Sequence, residues 1–262
     1  MNFDFYPNEN ELNLILMRFK PRKRLYILIS LLILILAIVI YWPVNALKKL
    51  DTPENLIFAH RGYLENATEN TKLAFSLADS LGFKAIETDI QQTKDGHLII
   101  LHDDNTQRLF GDNRQVKDLD LDYFIQNNIK NTDQKVLTLR QFFESYGHQF
   151  KLYLDVKTRN VGVADSLISL IQEFELSDEV IIADADVFFL ANIKKRAPQL
   201  ITALEGFTSE KAWFLKLLPS RYIPDYYAGF LKNMNKETAE ELKDNELIDR
   251  YIAYEVNSEN LH

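Results

Sequence analysis

The chain has 262 residues, of which 47% are hydrophobic, and it contains no cysteine, so it is long enough for one sizeable domain but excludes disulfide bonds, thiol catalysis and a cysteine-anchored lipoprotein. The formal net charge is −8, and the first 44 residues hold more basic than acidic groups, which leaves the remainder strongly acidic. Nucleic acid is therefore not an expected partner.

A nearly unbroken apolar run extends from Leu25 to Val44. A helix of this length can cross the hydrocarbon core of a bilayer, which is about 30 Å thick. Aromatic residues lie near both ends of the run, and the basic residues cluster before it, which places the N-terminus in the cytoplasm. A cleaved signal peptide and a buried core helix are the alternatives. We predict a single-pass membrane protein with a cytoplasmic basic tail at 1–24, a transmembrane anchor at 25–44, a linker at 45–55 and an extracytoplasmic domain at 56–262.

Residues 57–62 predict an apolar strand that ends abruptly in His60, Arg61 and Gly62. Parallel α/β sheets place their chemistry at such strand ends. After the turn signal at Asp95-Gly96, the apolar run 98–101 predicts a second strand, which ends at His102. Two strands therefore each deliver a histidine, a side chain suited to proton transfer near neutral pH.

Between these strands, residues 84–90 alternate in a way that predicts another strand, with Glu87 and Asp89 on the same side. Two carboxylates so close together either raise each other's pKa or bind a cation. Oxygen ligands suit calcium or magnesium better than zinc. A strand with a solvated acidic edge is the alternative interpretation of this pair.

The rest of the chain alternates helix-like and strand-like segments. A helix is predicted to open at Thr138-Leu139. Further helices are predicted at 161–174 and 187–196, and strands at 180–183, 200–204 and 251–255. This alternation predicts a parallel sheet of the α/β class.

Three blocks of residues resemble the glycerophosphodiester phosphodiesterase family. The first is His60-Arg61-Gly62 with Glu69-Asn70-Thr71, the second is Glu87-Thr88-Asp89 with the 93–96 turn and His102-Asp103, and the third is a strand at 152–157 that carries Asp155 and Lys157. Their order and spacing agree with the family pattern. The chain departs from it at Asp155, where glutamate is usual, and at Thr68, where proline is usual and where threonine is expected to cap the next helix.

The resemblance implies metal-dependent hydrolysis of glycerophosphodiesters to glycerol 3-phosphate and an alcohol. It implies a divalent cation, calcium or magnesium, held by Glu87, Asp89 and Asp155. It also implies His60 and His102 as acid and base, Arg61 and Lys157 on the phosphate, and Glu69 and Asn70 in support. Water or a neighbouring glycerol hydroxyl would be the attacking group.

The resemblance further implies a (β/α)8 TIM barrel, here incomplete at the C-terminus because the family's closing segments do not follow. Two alternative functions remain open at this point. One is a lysophospholipase D-type activity on lysophospholipids, which an acyl groove near Trp213 would favour. The other is a catalytically inactive, membrane-tethered binding protein. The missing C-terminal units of the barrel argue for it, and the retained charged residues of all three blocks argue against it.

Overall fold

A computed structural model describes residues 21–41, 56–208, 218–230, 236–244 and 248–254. The chain divides into two compact units, Met1–Val44 and Asn45–His262. In the first unit the described residues form one helix, α1 (Pro21–Tyr41). The large apolar side chains between Leu25 and Ile38 are exposed on this helix.

Among the residues that the structure describes, no helix combines the length and the apolar character that crossing a membrane requires. The structure therefore does not support the transmembrane anchor that we predicted at 25–44. A span needs about 20 apolar residues, whereas the described apolar part of α1 begins after the basic residues 22–24 and ends at Tyr41.

The second unit is an α/β domain around one sheet, in which seven strands run parallel in the order of the chain. These strands are β1 (Phe58–His60), β2 (Ala85–Gln92), β4 (Lys151–Val156), β5 (Val180–Asp184), β6 (Ile201–Leu204), β7 (Tyr226–Phe230) and β8 (Tyr251–Tyr254). The helices are α2 (Lys72–Ser80), α3 (Gln107–Phe110), α4 (Leu121–Gln126), α5 (Leu139–Tyr146), α6 (Val163–Glu173), α7 (Val187–Arg196) and α8 (Lys236–Asp244). Single 3₁₀ turns occupy Val116–Asp118, Ser220–Tyr222 and Ile248–Arg250.

The parallel sheet stays open in the described part of the chain, because β1 and β8 form its two edges and do not pair with each other. A closed (β/α)8 barrel has eight parallel strands. The architecture is therefore an α/β half-barrel, consistent with the predicted incomplete TIM barrel.

One further strand, β3 (Leu98–Ile100), runs antiparallel to β2 and pairs Ile100 with Ile90. The turn between them contains Gly96 at a φ of +89°, a conformation that glycine adopts without a Cβ clash. This hairpin folds the chain back along β2, and the backbone N–H of Leu101 donates to the carbonyl of Asp89 at 3.0 Å. The residue that follows, His102, is thereby returned to the acidic end of β2.

Two apolar clusters sandwich the parallel strands. The inward-facing cluster is made of small and medium side chains around Tyr153, Ile181 and Ala203. The other faces the helices, where Phe75 of α2 and Phe142 of α5 lie 4.8 Å apart at their ring centroids. Burial on both faces explains why these strands are mainly apolar.

Local signals in the sequence predicted most of these elements. The helix at 187–196 is found at those bounds, and Thr138 caps α5 through a reciprocal capping box with Gln141. The expected cap at Thr68 is wrong. The N-cap of α2 is Thr71, whose hydroxyl accepts from the backbone N–H of Ala74 and donates to the carbonyl of Thr68.

Candidate active site

Three carboxylates converge where β2 pairs with β4, near the carboxyl end of β4. Glu87 and Asp89 stand two residues apart on β2, and the parallel register places Asp155 directly beside Asp89. One oxygen from each of the three lies within 4.8 Å of the others, and Asp89 is almost fully buried. The predicted ligand set is thus brought together by strand register between residues 66 positions apart in the chain.

This convergence is electrostatically unfavourable without added positive charge. Burial raises the pKa of Glu87 well above its ordinary value, and the neighbouring charges of Asp89 and Asp155 raise it further. Burial also raises the pKa of Asp155, against the opposing effect of Lys157. Groups of this kind mark sites where a cation or a proton is held.

Two basic side chains border the carboxylates. Lys157, two residues after Asp155, makes a short hydrogen bond to Asp155 and lies 3.3 Å from Oδ1 of Asp89. Arg61 Nε lies 3.1 Å from the other oxygen, Oδ2, of Asp89. Oδ1 of Asp89 is buried and, apart from this ion pair with Lys157, makes no hydrogen bond. A set of three carboxylates with a buried oxygen so placed fits a hard divalent cation.

The loop after β1 has a strained backbone that aims Arg61 at the site. Arg61 has a φ of 55°, and its backbone N–H donates at 3.0 Å to both the carbonyl and Oε2 of Glu87. Gly62 follows at a φ of +87°, and a Cβ there would lie only 2.7 Å from the carbonyl carbon of Ala74. Glycine is therefore required at this position by both conformation and space.

Asn70 supports the buried end of the site. Its Nδ2 donates to Oδ2 of Asp89 at 2.9 Å, and its Oδ1 accepts from the hydroxyl of Thr88 at 2.7 Å. Asn70 itself is buried with a φ of 57°. Glu69 lies beside it and pairs with Arg61, Oε1 to Nη1, at 3.1 Å. Asn70 thus holds Asp89, and Glu69 holds Arg61; both of these side chains belong to the predicted site.

The two histidines come from different strand ends: His60 is the last residue of β1, and His102 lies in the segment after β3. His60 ends β1, is largely exposed, and has its Nε2 3.8 Å from Oε2 of Glu87. Partial burial and then the charge of Arg61 lower the pKa of His60. His102 is about one-third exposed, and its Nδ1 lies 2.8 Å from Oδ1 of Asp103. That contact leaves Nε2 of His102 as the nitrogen available to a substrate.

Sequence reasoning missed two residues near the site. Glu205 directly follows β6 and accepts a short hydrogen bond from the hydroxyl of Tyr153; burial, reinforced by the charge of Asp155, raises its pKa to about 7. The strand-end rule that pointed to His60 applies equally to Glu205, since a strand was predicted at 200–204. The other residue is Arg108, whose contacts with acidic groups on two loops no local pattern signals.

Known proteins are similar to this chain in sequence. The sequence model of the glycerophosphoryl diester phosphodiesterase family matches residues 60–251. A glycerophosphodiester phosphodiesterase of Caldanaerobacter subterraneus is 33% identical over 200 residues, which cover 69% of this chain and 82% of that protein. A lysophospholipase D of Homo sapiens is 24% identical over 196 residues, covering 69% of this chain and 61% of that protein.

Solved structures share the fold. An Oleispira antarctica phosphodiesterase in complex with the product sn-glycerol-3-phosphate has a TM-score of 0.67 at 20% identity, covering 78% of this chain and 85% of that one. A glycerophosphodiester phosphodiesterase of Thermotoga maritima has a TM-score of 0.66 at 20% identity, covering 79% of this chain and 88% of that one.

Proposed function

Since this chain belongs to the glycerophosphoryl diester phosphodiesterase family and is a phosphodiesterase, we propose that it uses a divalent cation and two histidines to release glycerol 3-phosphate and an alcohol from a glycerophosphodiester. The observation that carries this proposal is the convergence of Glu87, Asp89 and Asp155 within 4.8 Å. Two basic side chains, Arg61 and Lys157, and two histidines border these carboxylates. Such a set can neutralise the negative charge of the phosphate and protonate the alkoxide that departs.

The three carboxylates would hold the cation, and their oxygen-only donor set suits calcium or magnesium. The shorter side chain of Asp155, where the family usually has glutamate, is compatible with this role because β4 already places it beside Asp89. When bound, the cation supplies charge neutralisation at a non-bridging phosphate oxygen.

Arg61 and Lys157 would bind the remaining phosphate charge. Both lie next to the carboxylates, and Arg61 is held by its backbone N–H as well as by Glu69. Donors that are fixed before the substrate arrives stabilise developing charge without reorganisation at the moment of reaction. The planar fork of Arg61 also suits a phosphate better than an ammonium group does.

His60 and His102 would move the protons. One removes the proton of the attacking hydroxyl or water, and the other protonates the departing alkoxide, each contributing roughly 100- to 10,000-fold to the rate. Asp103 would support this work at His102, because a carboxylate on Nδ1 stabilises the ring when it is protonated on Nε2.

The test is release of glycerol 3-phosphate from glycerophosphocholine by the full chain in detergent. We expect release in calcium or magnesium, loss with a chelator, and a fall of at least 100-fold in kcat for His60→Ala and for His102→Ala. The surface variant His148→Ala is the matched control and should keep the wild-type rate. Release that survives the chelator would contradict the metal-dependent mechanism, and no release by a folded wild-type protein would contradict the substrate.

Lysophospholipids are the second candidate substrates. Exposed apolar side chains lie on the segments that follow the carboxyl ends of three strands, namely Leu64, Val161 and Phe188, which an acyl chain would contact. Similarity to the human lysophospholipase D also supports this candidate. Trp213, near which we predicted an acyl groove, lies outside the described residues. Higher kcat/KM on lysophosphatidylcholine than on glycerophosphocholine would favour this alternative.

We also propose that the apolar helix α1 associates the protein with a bilayer. The support is the continuous exposure of large apolar side chains between Leu25 and Ile38, which water solvates poorly. The extracytoplasmic position of the domain remains a prediction from the basic residues before Leu25. Flotation with lipid vesicles would test the association, and protease accessibility in sealed vesicles would test the side. A full-length protein that does not float with the vesicles would contradict the proposal.

A further inference from the structure

Arg108 of α3 joins two loops of the site through both edges of its guanidinium group. Its Nε and Nη2 donate to Oδ2 and Oδ1 of Asp103 at 2.8 and 3.0 Å. Its Nη1 and Nη2 donate to Oε2 and Oε1 of Glu69 at 2.8 and 2.7 Å. Each of the three nitrogens of the fork therefore contacts a carboxylate, and the two carboxylates belong to the loops after β3 and β1.

Each of these carboxylates holds a residue of the proposed machinery. Asp103 contacts Nδ1 of His102 at 2.8 Å, and Glu69 contacts Nη1 of Arg61 at 3.1 Å. Arg61 in turn contacts Asp89. A continuous series of charged contacts thus runs from His102 through Arg108 to the carboxylates that would hold the cation.

The hydrogen bonds from Arg108 lower the pKa of Asp103 despite its partial burial. Burial alone would raise the pKa of Glu69, but the hydrogen bond from Arg108 and the charge of Arg61 lower it. Both partners are therefore ionised at neutral pH, and the contacts are charge-assisted and bidentate. An ionised Asp103 accepts from Nδ1–H, which leaves the lone pair of Nε2 on His102 free to face the substrate.

We propose that Arg108 is a positioning residue for the phosphodiesterase reaction, which fixes the ring of His102 through Asp103 and ties it to the loop that carries Arg61. The inference rests on the proposed function only for the role of His102 in proton transfer. Without Arg108, Asp103 is held by His102 alone and is free to turn toward solvent. A misplacement of about 1 Å at a reacting group can reduce a rate about 100-fold.

The kinetic test compares Arg108→Ala with Arg108→Lys. We expect kcat to fall 10- to 100-fold in the alanine variant with KM changed less than threefold, because Arg61 keeps its contact with Asp89. Lysine preserves the charge but has no fork to engage both carboxylates, so its kcat should lie between those of the alanine variant and the wild type. Guanidinium ions at millimolar concentration should partly restore the alanine variant.

Arg140→Ala is the matched control. Arg140 forms the same kind of bidentate pair, with Glu173 on α6, and its side chain is 48% exposed against 46% for Arg108. It links α5 to α6 on the helical side of the sheet. Both alanine variants remove one positive charge and a bidentate contact with a carboxylate, although Arg108 makes two such contacts and Arg140 makes one. Only Arg108→Ala should change kcat or respond to guanidinium.

A second readout does not depend on activity. In nitrogen-15 spectra at alkaline pH, neutral His102 should be the Nδ1–H tautomer in the wild type and in Arg140→Ala, and a mixture of tautomers in Arg108→Ala. Wild-type kcat together with an unchanged His102 tautomer in a folded Arg108→Ala protein would overturn the proposal. If the wild type hydrolyses neither substrate, the proposed function fails, while the tautomer still decides whether Arg108 positions His102.

Discussion

Replacement of Glu205 by glutamine should stabilise this protein at high pH and leave its stability nearly unchanged at low pH. Glu205 follows β6, shares a hydrogen bond with Tyr153, and lies near Asp155. Its pKa is raised from 4.5 to about 7, chiefly by burial and then by the charge of Asp155. Glutamine has the shape of the protonated acid but cannot ionise, so the pair of proteins isolates the cost of the charge.

The direction follows from the number of protons bound by each state. Between pH 4.5 and about 7 the folded protein keeps the proton that the unfolded chain has lost, so stability falls as the pH rises through this window. Each pH unit within it costs about 1.4 kcal/mol. Between pH 4.5 and pH 8, the free energy of unfolding of the wild type should therefore fall by about 3 kcal/mol relative to that of Glu205→Gln.

Urea unfolding of both proteins at several pH values measures this difference. A chelator is included throughout, so that a cation near Asp155 does not alter the titration of Glu205. The acidic groups that do not interact with Glu205 titrate equally in both proteins, so their contributions cancel in the comparison. A stability difference that is the same at pH 5 and pH 8 would refute the assignment of a raised pKa to Glu205.

Three further changes have predictable outcomes. In the wild type, the buried ammonium group of Lys194 lies 2.7 Å from Oδ2 of Asp225. Asp225→Ala leaves that ammonium group without this carboxylate and should lower the free energy of unfolding in urea by about 3–5 kcal/mol. A loss below about 1 kcal/mol would show that water reaches this pair. Gly62→Ala should lower the melting temperature and abolish hydrolysis, because its Cβ would meet the backbone of Ala74 and its φ is positive; wild-type kcat in this variant would contradict the need for glycine. Asp89→Asn deletes the most buried of the three carboxylates and should therefore abolish calcium or magnesium binding in titration calorimetry. Circular dichroism should show that the variant remains folded. An unchanged affinity for the ion would place its site elsewhere.

Much of the fold could be predicted because its signals are local. The apolar run at 98–101 after Asp95-Gly96 predicted β3 and its turn, and the alternation at 84–90 predicted β2 with two carboxylates on one side. These patterns depend on side-chain period and turn chemistry within about ten residues. The helix cap predicted at Thr68 was wrong. The N-cap is Thr71, a second threonine three residues further along the chain.

Other features depend on contacts between distant segments. The sequence named Asp155 as a ligand only through family resemblance, whereas the parallel register of β2 and β4 is what sets it against Asp89. Arg108 and Glu69 are 39 residues apart, and only the folding of two loops onto each other brings them within hydrogen-bonding distance.

By itself, then, the sequence determined most of the strand and helix segments, the family and the charged residues of the three motif blocks, because hydrophobic period, turn residues and motif spacing are written into short stretches of chain. Only the tertiary structure decided that Arg108 links the loops of His102 and Arg61, and that Glu205 is a half-buried acid whose pKa is raised to about 7. Strand register, burial and the distance between charges arise when remote segments pack together, and these quantities set the electrostatics of the site.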